Sequence, residues 1–306
     1  MQVQKTVKPV EIDPDMLVKV TESGSVTAIM QADHRTTGAT LLRLDKDTAL
    51  VLRTGEVIDI RHAESRADNL TSVSQSLAKG RDIINANVTD PRRTRWVTLT
   101  YRENMTDPQR LKDDFKEFNR RARKKFGHYE YITCAEPQAR GAWHLHIIMI
   151  FDEKAPFLPN RTVRDLWGQG FVNVQKIADV DNLGAYLSAY LGDLPLEDAQ
   201  TLGLSYRNCD IKRVGEADVF GQQKRYIKGA RMRLYPPGMH IFRWSRGIIV
   251  PEPYYITYAE AKEKVSADTL TYSKEIRLFA DDYENTLRYE YYNSKREKSQ
   301  AFSATK

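Results

Sequence analysis

Cysteine is scarce in this sequence: Cys134 and Cys209 are the two in 306 residues. Two cysteines cannot build a disulfide framework. Neither stands in a CxxC pair, which argues against a cysteine-ligated zinc site and fits a reducing compartment. Long apolar runs are missing too. The stretch Ile147–Phe151 is cut off by Asp152, far short of the ~20 apolar residues a membrane span needs, so no membrane partner is expected. The opening MQVQKTVKPVEIDPD lacks the apolar stretch of a secretory leader. There is no GxxxxGK[ST] loop, so an ATP-driven motor is not expected within this sequence and any unwinding falls to another protein. Internal repeats and long low-complexity segments are also lacking.

Apolar residues make up 41% of the chain, enough for a sizeable core. The length suits one large domain or two modest ones. The net charge of +6 is modest but uneven. Residues 91–130 hold 12 basic and 6 acidic side chains, and residues 205–250 hold 10 and 3. Two basic blocks therefore flank a slightly acidic centre, a pattern suited to a polyanion.

Residues 1–72 read as an accessory, β-prone region, with short runs at Met16–Val20, Ala39–Leu44 and Ala49–Val57. Residues 73–88 read as a helix that opens the main domain, 73–250. There the alternation in RWVTLTY (95–101) predicts a strand. Pro108 starts a helix whose Leu111, Phe115, Phe118 and Ala122 recur at helical spacing, and Gly127 stops it. Strands at Tyr129–Ala135 and Ala142–Phe151 follow, then a helix at Arg161–Trp167, a strand at Phe171–Ile177 and a helix at Asn182–Leu191. Hairpin strands interleaved with helices predict an α+β fold around an antiparallel sheet. Residues 251–306 read as a tyrosine-rich helical tail.

The sharpest chemical feature is His144-Leu145-His146. On a strand both imidazoles leave one face, and paired imidazoles suit a divalent metal. Glu136 ends the preceding strand, and a hairpin through EPQARGAW brings its carboxylate beside them. One carboxylate and two histidines with open coordination positions suit Mn²⁺ or Mg²⁺ engaging phosphate oxygens. The competing reading is a pair of hydrogen-bonded histidines and a solvent-facing turn glutamate. Tyr186 and Tyr190 share one face of a helix at i and i+4. They are either packing residues or phenol nucleophiles facing a metal-bound phosphate.

These words, WVTLTY, then Glu136 with His144 and His146, then Tyr186 and Tyr190, follow in the order and approximate spacing of HUH endonucleases. EPQARGAWHLH and AYLSAYLGD resemble the rolling-circle replication initiators of bacterial plasmids, phages and integrative elements. The resemblance covers about residues 75–250. It implies a central antiparallel sheet of about five strands flanked by helices, with metal ligands at Glu136, His144 and His146 and nucleophiles at Tyr186 and Tyr190. It also implies nicking of single-stranded or hairpin origin DNA through a 5′-phosphotyrosine link and later rejoining. The expected setting is the bacterial cytoplasm, with host helicase and polymerase as partners. Many members carry a lysine just before the second tyrosine. Here that residue is Ala189, which favours a two-tyrosine or Tyr186-led site and leaves Lys176 and Lys212 as candidate cations.

The basic blocks then acquire a role. Arg120, Arg121, Arg123, Lys124 and Lys125 end one helix, where they could grip phosphate or simply complement the helix dipole. Lys224, Arg225, Lys228, Arg231 and Arg233 lie among Tyr226, Tyr235, Phe242 and Trp244, a mixture that fits base stacking or the core of the last strands. Arg140 is a candidate DNA contact, and Trp143 is expected to pack beneath the histidines. Two other readings stand beside the nickase: a non-catalytic origin- or hairpin-binding protein on the same scaffold, which Ala189 favours, and an RNA-binding module, which leaves the metal set unexplained.

Overall fold

The computed structural model describes residues 2–35, 40–60, 70–177, 184, 193–204, 211–214, 224–227, 230–236, 238–280 and 283–296. The chain begins with strands β1 (Gln2–Thr6), β2 (Leu17–Ser23), β3 (Val26–Ala32), β4 (Leu41–Arg43), β5 (Thr48–Val51) and β6 (Glu56–Asp59). Helix α1 (Leu70–Asn87), strand β7 (Thr94–Thr100) and helix α2 (Pro108–Phe126) follow. Then come β8 (Glu130–Pro137), β9 (Trp143–Ile150), α3 (Asn160–Trp167), β10 (Val172–Gln175), β11 (Leu194–Pro195) and α4 (Leu196–Thr201). The last elements are β12 (Ile211–Val214), β13 (Lys224–Ile227), β14 (Phe242–Trp244), β15 (Tyr254–Thr257), α5 (Tyr258–Lys264), β16 (Thr269–Ala280) and β17 (Tyr283–Asn293). They form two units, residues 64–250 and residues 1–63 with 251–306.

The central unit is built on a five-stranded antiparallel sheet in the order β10-β7-β9-β8-β14, the α+β arrangement expected from the sequence. Val97, Leu99, Ile147 and Met149 are completely or almost completely buried, and each such side chain contributes about 1.5–3 kcal/mol of burial. Helix α2 covers this face. Asp107 caps its first turn by accepting from the Gln109 N–H at 2.8 Å, and Gly127, at φ 87°, ends it. Its Phe115 ring meets Tyr131 edge-on at 5.0 Å, and Leu111 and Phe115 line a small space with Thr133, Ala135 and Leu145.

Helix α1 serves the opposite face, where Ile84 gathers with Ile132, Ile148, Phe242 and His146. The approach is close. A Cβ on Gly80 would stand 2.4 Å from the Phe242 ring, so glycine is what lets the helix settle there. The helix expected at Asn182–Leu191 lies outside the described residues, apart from Gly184, which is helical.

The other unit holds a six-stranded antiparallel sheet in the order β1-β16-β17-β3-β2-β15 and a separate sheet of β4, β5 and β6. Helix α5, closed by a capping box between Thr257 and Glu260, buries Ala261 and Val265 against Val18, Val20, Ile29 and Tyr292. The expectation of a helical tail is corrected here. Apart from α5, the described part of that stretch forms three strands, of which β16 and β17 make a long hairpin. Tyr272, Lys274, Ile276 and Leu278 alternate with Ser273, Glu275 and Arg277. That two-residue period, rich in β-formers, competes with a helical reading until the partner strands are known.

Candidate metal centre on the sheet

Strand register assembles the site. Glu136 on β8 lies directly opposite His144 on β9, and Cys134 lies opposite His146. On the other side of β9, Thr98 and Thr100 of β7 pair with His146 and His144. The β8–β9 turn fixes this register. Gln138 N–H donates to the Ala142 carbonyl at 2.8 Å, Gly141 N–H donates to the Gln138 carbonyl at 2.9 Å, and Gly141 sits at φ 88°, where a side chain would be strained.

One carboxylate oxygen of Glu136 and one ring nitrogen from each histidine lie within 4.8 Å of one another. Two donors each about 2.1 Å from one ion stand at most about 4.2 Å apart, so a side-chain adjustment of under an ångström closes the set. Glu136 and His146 are buried, while His144 is half-buried. The protonation states suit ligation. Burial pushes His144 down to about 4, which keeps its imidazole neutral. Burial alone would raise Glu136, but the hydrogen bond and charge of His146 and the Arg231 guanidinium outweigh it and hold the carboxyl below its usual range. Burial raises the neighbouring Cys134 thiol well above its ordinary value, so Cys134 stays protonated and is no competing ligand.

His146 is held from three sides. Its Nε2 hydrogen-bonds Glu136 Oε2. Its Nδ1 lies 3.1 Å from Thr98 Oγ1. Trp96 stacks on its ring at 5.1 Å between centroids, 25° from parallel. A hydroxyl both donates and accepts. Thr98 can therefore serve Nδ1 while Nε2–H bonds the carboxylate, and can equally accept from Nδ1–H once the Nε2 lone pair faces an ion.

Sequence reasoning does not find the Arg231 contact. Arg231 belongs to a basic block expected to grip phosphate, yet it is 5% exposed and forms an ion pair with Glu136 Oε1. Its Nε also donates to the Asp193 carbonyl at 3.0 Å and its Nη1 to the Pro137 carbonyl at 3.2 Å. A buried residue so committed to the protein is not a surface contact for a DNA backbone. No spacing signal links it to Glu136, because the two meet only through the fold. Thr98 and Trp96 are findable, since β7 alternates and pairs with the histidine strand.

The other candidates are scattered. Tyr186, Tyr190 and Lys228 lie outside the described residues. Arg120 and Arg121 both bond Glu117, and Arg123 donates to the Tyr129 carbonyl beside the rings of Tyr129 and Tyr131. Lys124 and Lys125 are exposed at the end of α2, on the sheet face away from the three ligands. Arg140 is exposed in the β8–β9 turn and bonds Gln138. Arg225 and Arg233 are exposed, and Lys224 begins β13. Tyr235 and Phe242 are core residues, which removes them from any base-stacking role. Trp143 turns to the side opposite His144 and donates to the Thr106 carbonyl at 3.0 Å.

One described residue bears on the tyrosine segment. The Gly184 N–H donates to Asn85 Oδ1 of α1 at 2.9 Å in a buried contact, and a Cβ on Gly184 would come within 2.4 Å of the Arg81 carbonyl oxygen. Gly184 thus rests on the helix that serves the ligand face of the sheet. Among the described residues, no helix is long and apolar enough to cross a membrane.

No curated protein and no solved structure matches the chain. A family model of the replication-associated protein ORF2 type matches residues 94–194, which run from β7 through both ligand strands to the start of β11. This part of the chain is therefore similar to replication-associated proteins.

Proposed function

We propose that the chain is a replication initiator that nicks and rejoins single-stranded or hairpin origin DNA. The observation that carries this reading is the convergence of Glu136, His144 and His146 on one sheet face inside the segment similar to replication-associated proteins. A divalent ion, Mn²⁺ or Mg²⁺, bound there supplies Lewis-acid polarisation of a phosphate oxygen. The chain's part is to present one anionic and two neutral donors in a fixed, largely buried array, with Thr98 and Trp96 orienting His146. Tyr186 or Tyr190 is the nucleophile. Its phenol gives up a proton and its oxygen bonds the phosphorus, the bond from phosphorus to the 3′ oxygen breaks, and that oxygen leaves protonated as a free 3′-OH. The reverse exchange rejoins the strand.

The Arg231–Glu136 pair favours a second reading. A guanidinium on the ligand carboxylate already neutralises it, as a non-catalytic DNA binder on this scaffold would tolerate. The two part on a denaturing gel of labelled single-stranded origin DNA with the parent, His144→Ala, Tyr186→Phe and Tyr190→Phe in Mn²⁺. A covalent adduct lost in His144→Ala and in one tyrosine variant, or in the double tyrosine variant, supports the nickase. Tight binding with no adduct on any strand supports the binder.

A further inference from the structure

The six-stranded sheet of the terminal unit has two unlike faces. Side-chain alternation puts all four glutamates of its strands, Glu22, Glu275, Glu284 and Glu290, on the side that carries α5. The strands contribute no carboxylate to the opposite face. There the register lines up Tyr255, Lys19, Met30, Tyr289 and Lys274 in one row across β15, β2, β3, β17 and β16. The next row holds Thr21, Ala28, Tyr291 and Tyr272. Tyr255 is 57% exposed and the others are half-buried; none is buried.

The aromatic rings are arrayed with cations. The Lys274 ammonium lies 4.6 Å from the Tyr289 ring centre, and the Arg35 guanidinium lies 4.9 Å from that of Tyr255. Tyr289 and Tyr291 stand 6° from parallel with centroids 6.5 Å apart, matching the two-residue repeat of their strand, and Tyr272 lies 5.9 Å from Tyr291. Ala28 and Thr21 leave low ground beside the rings. A face of π surfaces and positive charge without carboxylates is complementary to unpaired bases on a phosphate backbone, and a sheet presents both at once.

We propose that this face is a stacking platform for single-stranded DNA, separate from the Glu136–His144–His146 centre. The choice of DNA over RNA rests on the replication reading; the aromatic and cationic face does not. Bases stack on the tyrosine rings, and Lys19, Lys274 and Arg35 meet phosphates.

The test uses the full chain in EDTA, where nicking is silent, with a fluorescein-labelled oligothymidylate carrying 5-iododeoxyuridine. Photo-crosslinks are expected on peptides containing Tyr272, Tyr289 or Tyr291. Tyr289→Ala and Tyr255→Ala are each expected to weaken binding about ten-fold, whereas Tyr→Phe at the same positions retains it. Lys274→Gln is expected to lower the salt slope by about 1. If the alanine variants do not fold, Lys19→Glu with Lys274→Glu replaces them, with the same loss expected. Unchanged affinity in folded variants, or crosslinks confined to residues 64–250, overturns the proposal. So does a parent dimer that the alanine changes convert to monomer, or binding of oligouridylate RNA without oligothymidylate. His144→Ala is expected to leave this binding intact, so failure of the nickase reading and failure of the platform are separately visible.

Discussion

Replacing Arg231 with methionine tests how the ligand set is balanced. Arg231 and Glu136 are 5% and 4% exposed, so the variant leaves a buried carboxylate without its guanidinium and two backbone carbonyls, of Asp193 and Pro137, without a donor. Breaking a buried pair from one side costs about 3–5 kcal/mol. His146 still bonds the other oxygen of Glu136, which places the expected loss near the lower end, about 3 kcal/mol. Divalent metal should return part of this, because a cation can again meet the carboxylate. With Mn²⁺ at about a hundred times its dissociation constant, binding to the native state contributes about 2.7 kcal/mol. The parent should gain less at the same concentration, because Arg231 already neutralises Glu136. The assay is urea unfolding of the full chain with and without Mn²⁺, for parent, Arg231→Met and Arg231→Lys. Arg231→Lys should fall between the other two, since an ammonium keeps the charge but cannot reach all three acceptors from one planar fork. A cost below about 1 kcal/mol in the absence of metal, or equal metal stabilisation of parent and Arg231→Met, would refute the reasoning.

Three further outcomes are expected. His144, depressed to about 4 against 6.5 in the unfolded chain, favours folding fully above pH 6.5, and that contribution drains away as the pH falls from 6.5 towards 4. The unfolded chain takes up the proton first, so metal-free stability should fall by up to about 3 kcal/mol across this window, and His144→Asn should lose that part of the slope; parallel parent and variant curves would count against a neutral native imidazole. Thr98→Val keeps the shape but removes the hydroxyl at His146 Nδ1 and should weaken Mn²⁺ binding about 10- to 100-fold by calorimetry, with unaltered affinity as the contrary result. Gly184→Ala forces a Cβ against the Arg81 carbonyl and should cost about 1–3 kcal/mol. If Gly184 sets the tyrosine segment, adduct formation should drop in Gly184→Ala and Asn85→Ala alike; full adduct yield from a folded Gly184→Ala protein would separate the two.

Much of the centre is legible in the sequence because its parts are local. A strand places residues two apart on one face, so His144 and His146 had to share a side, and the turn-rich EPQARG made a hairpin the economical way to bring Glu136 beside them. Asp107, Pro108 and Gly127 mark the limits of α2 for similarly local reasons: a cap, a fixed φ and a left-handed stop. The alternation of β7 carries Thr98 and Trp96 to His146, although their role there requires the register with β9.

Whatever depends on near neighbours is written along the chain: the periods of many strands and helices, the paired imidazoles, the charge blocks and the lack of a membrane-length apolar run. Whatever depends on distant partners is settled by folding. Arg231 left the surface for Glu136 because a buried carboxylate demands a counter-charge, and no spacing rule fixes which arginine supplies it. Residues 269–293 became strands because β3 and β1 offered edges to pair with, and strand pairing is a non-local choice that local periodicity leaves open. The same pairing sorted lysines and tyrosines from glutamates across the two faces of one sheet, a segregation written two residues at a time but visible only once six strands stand in register.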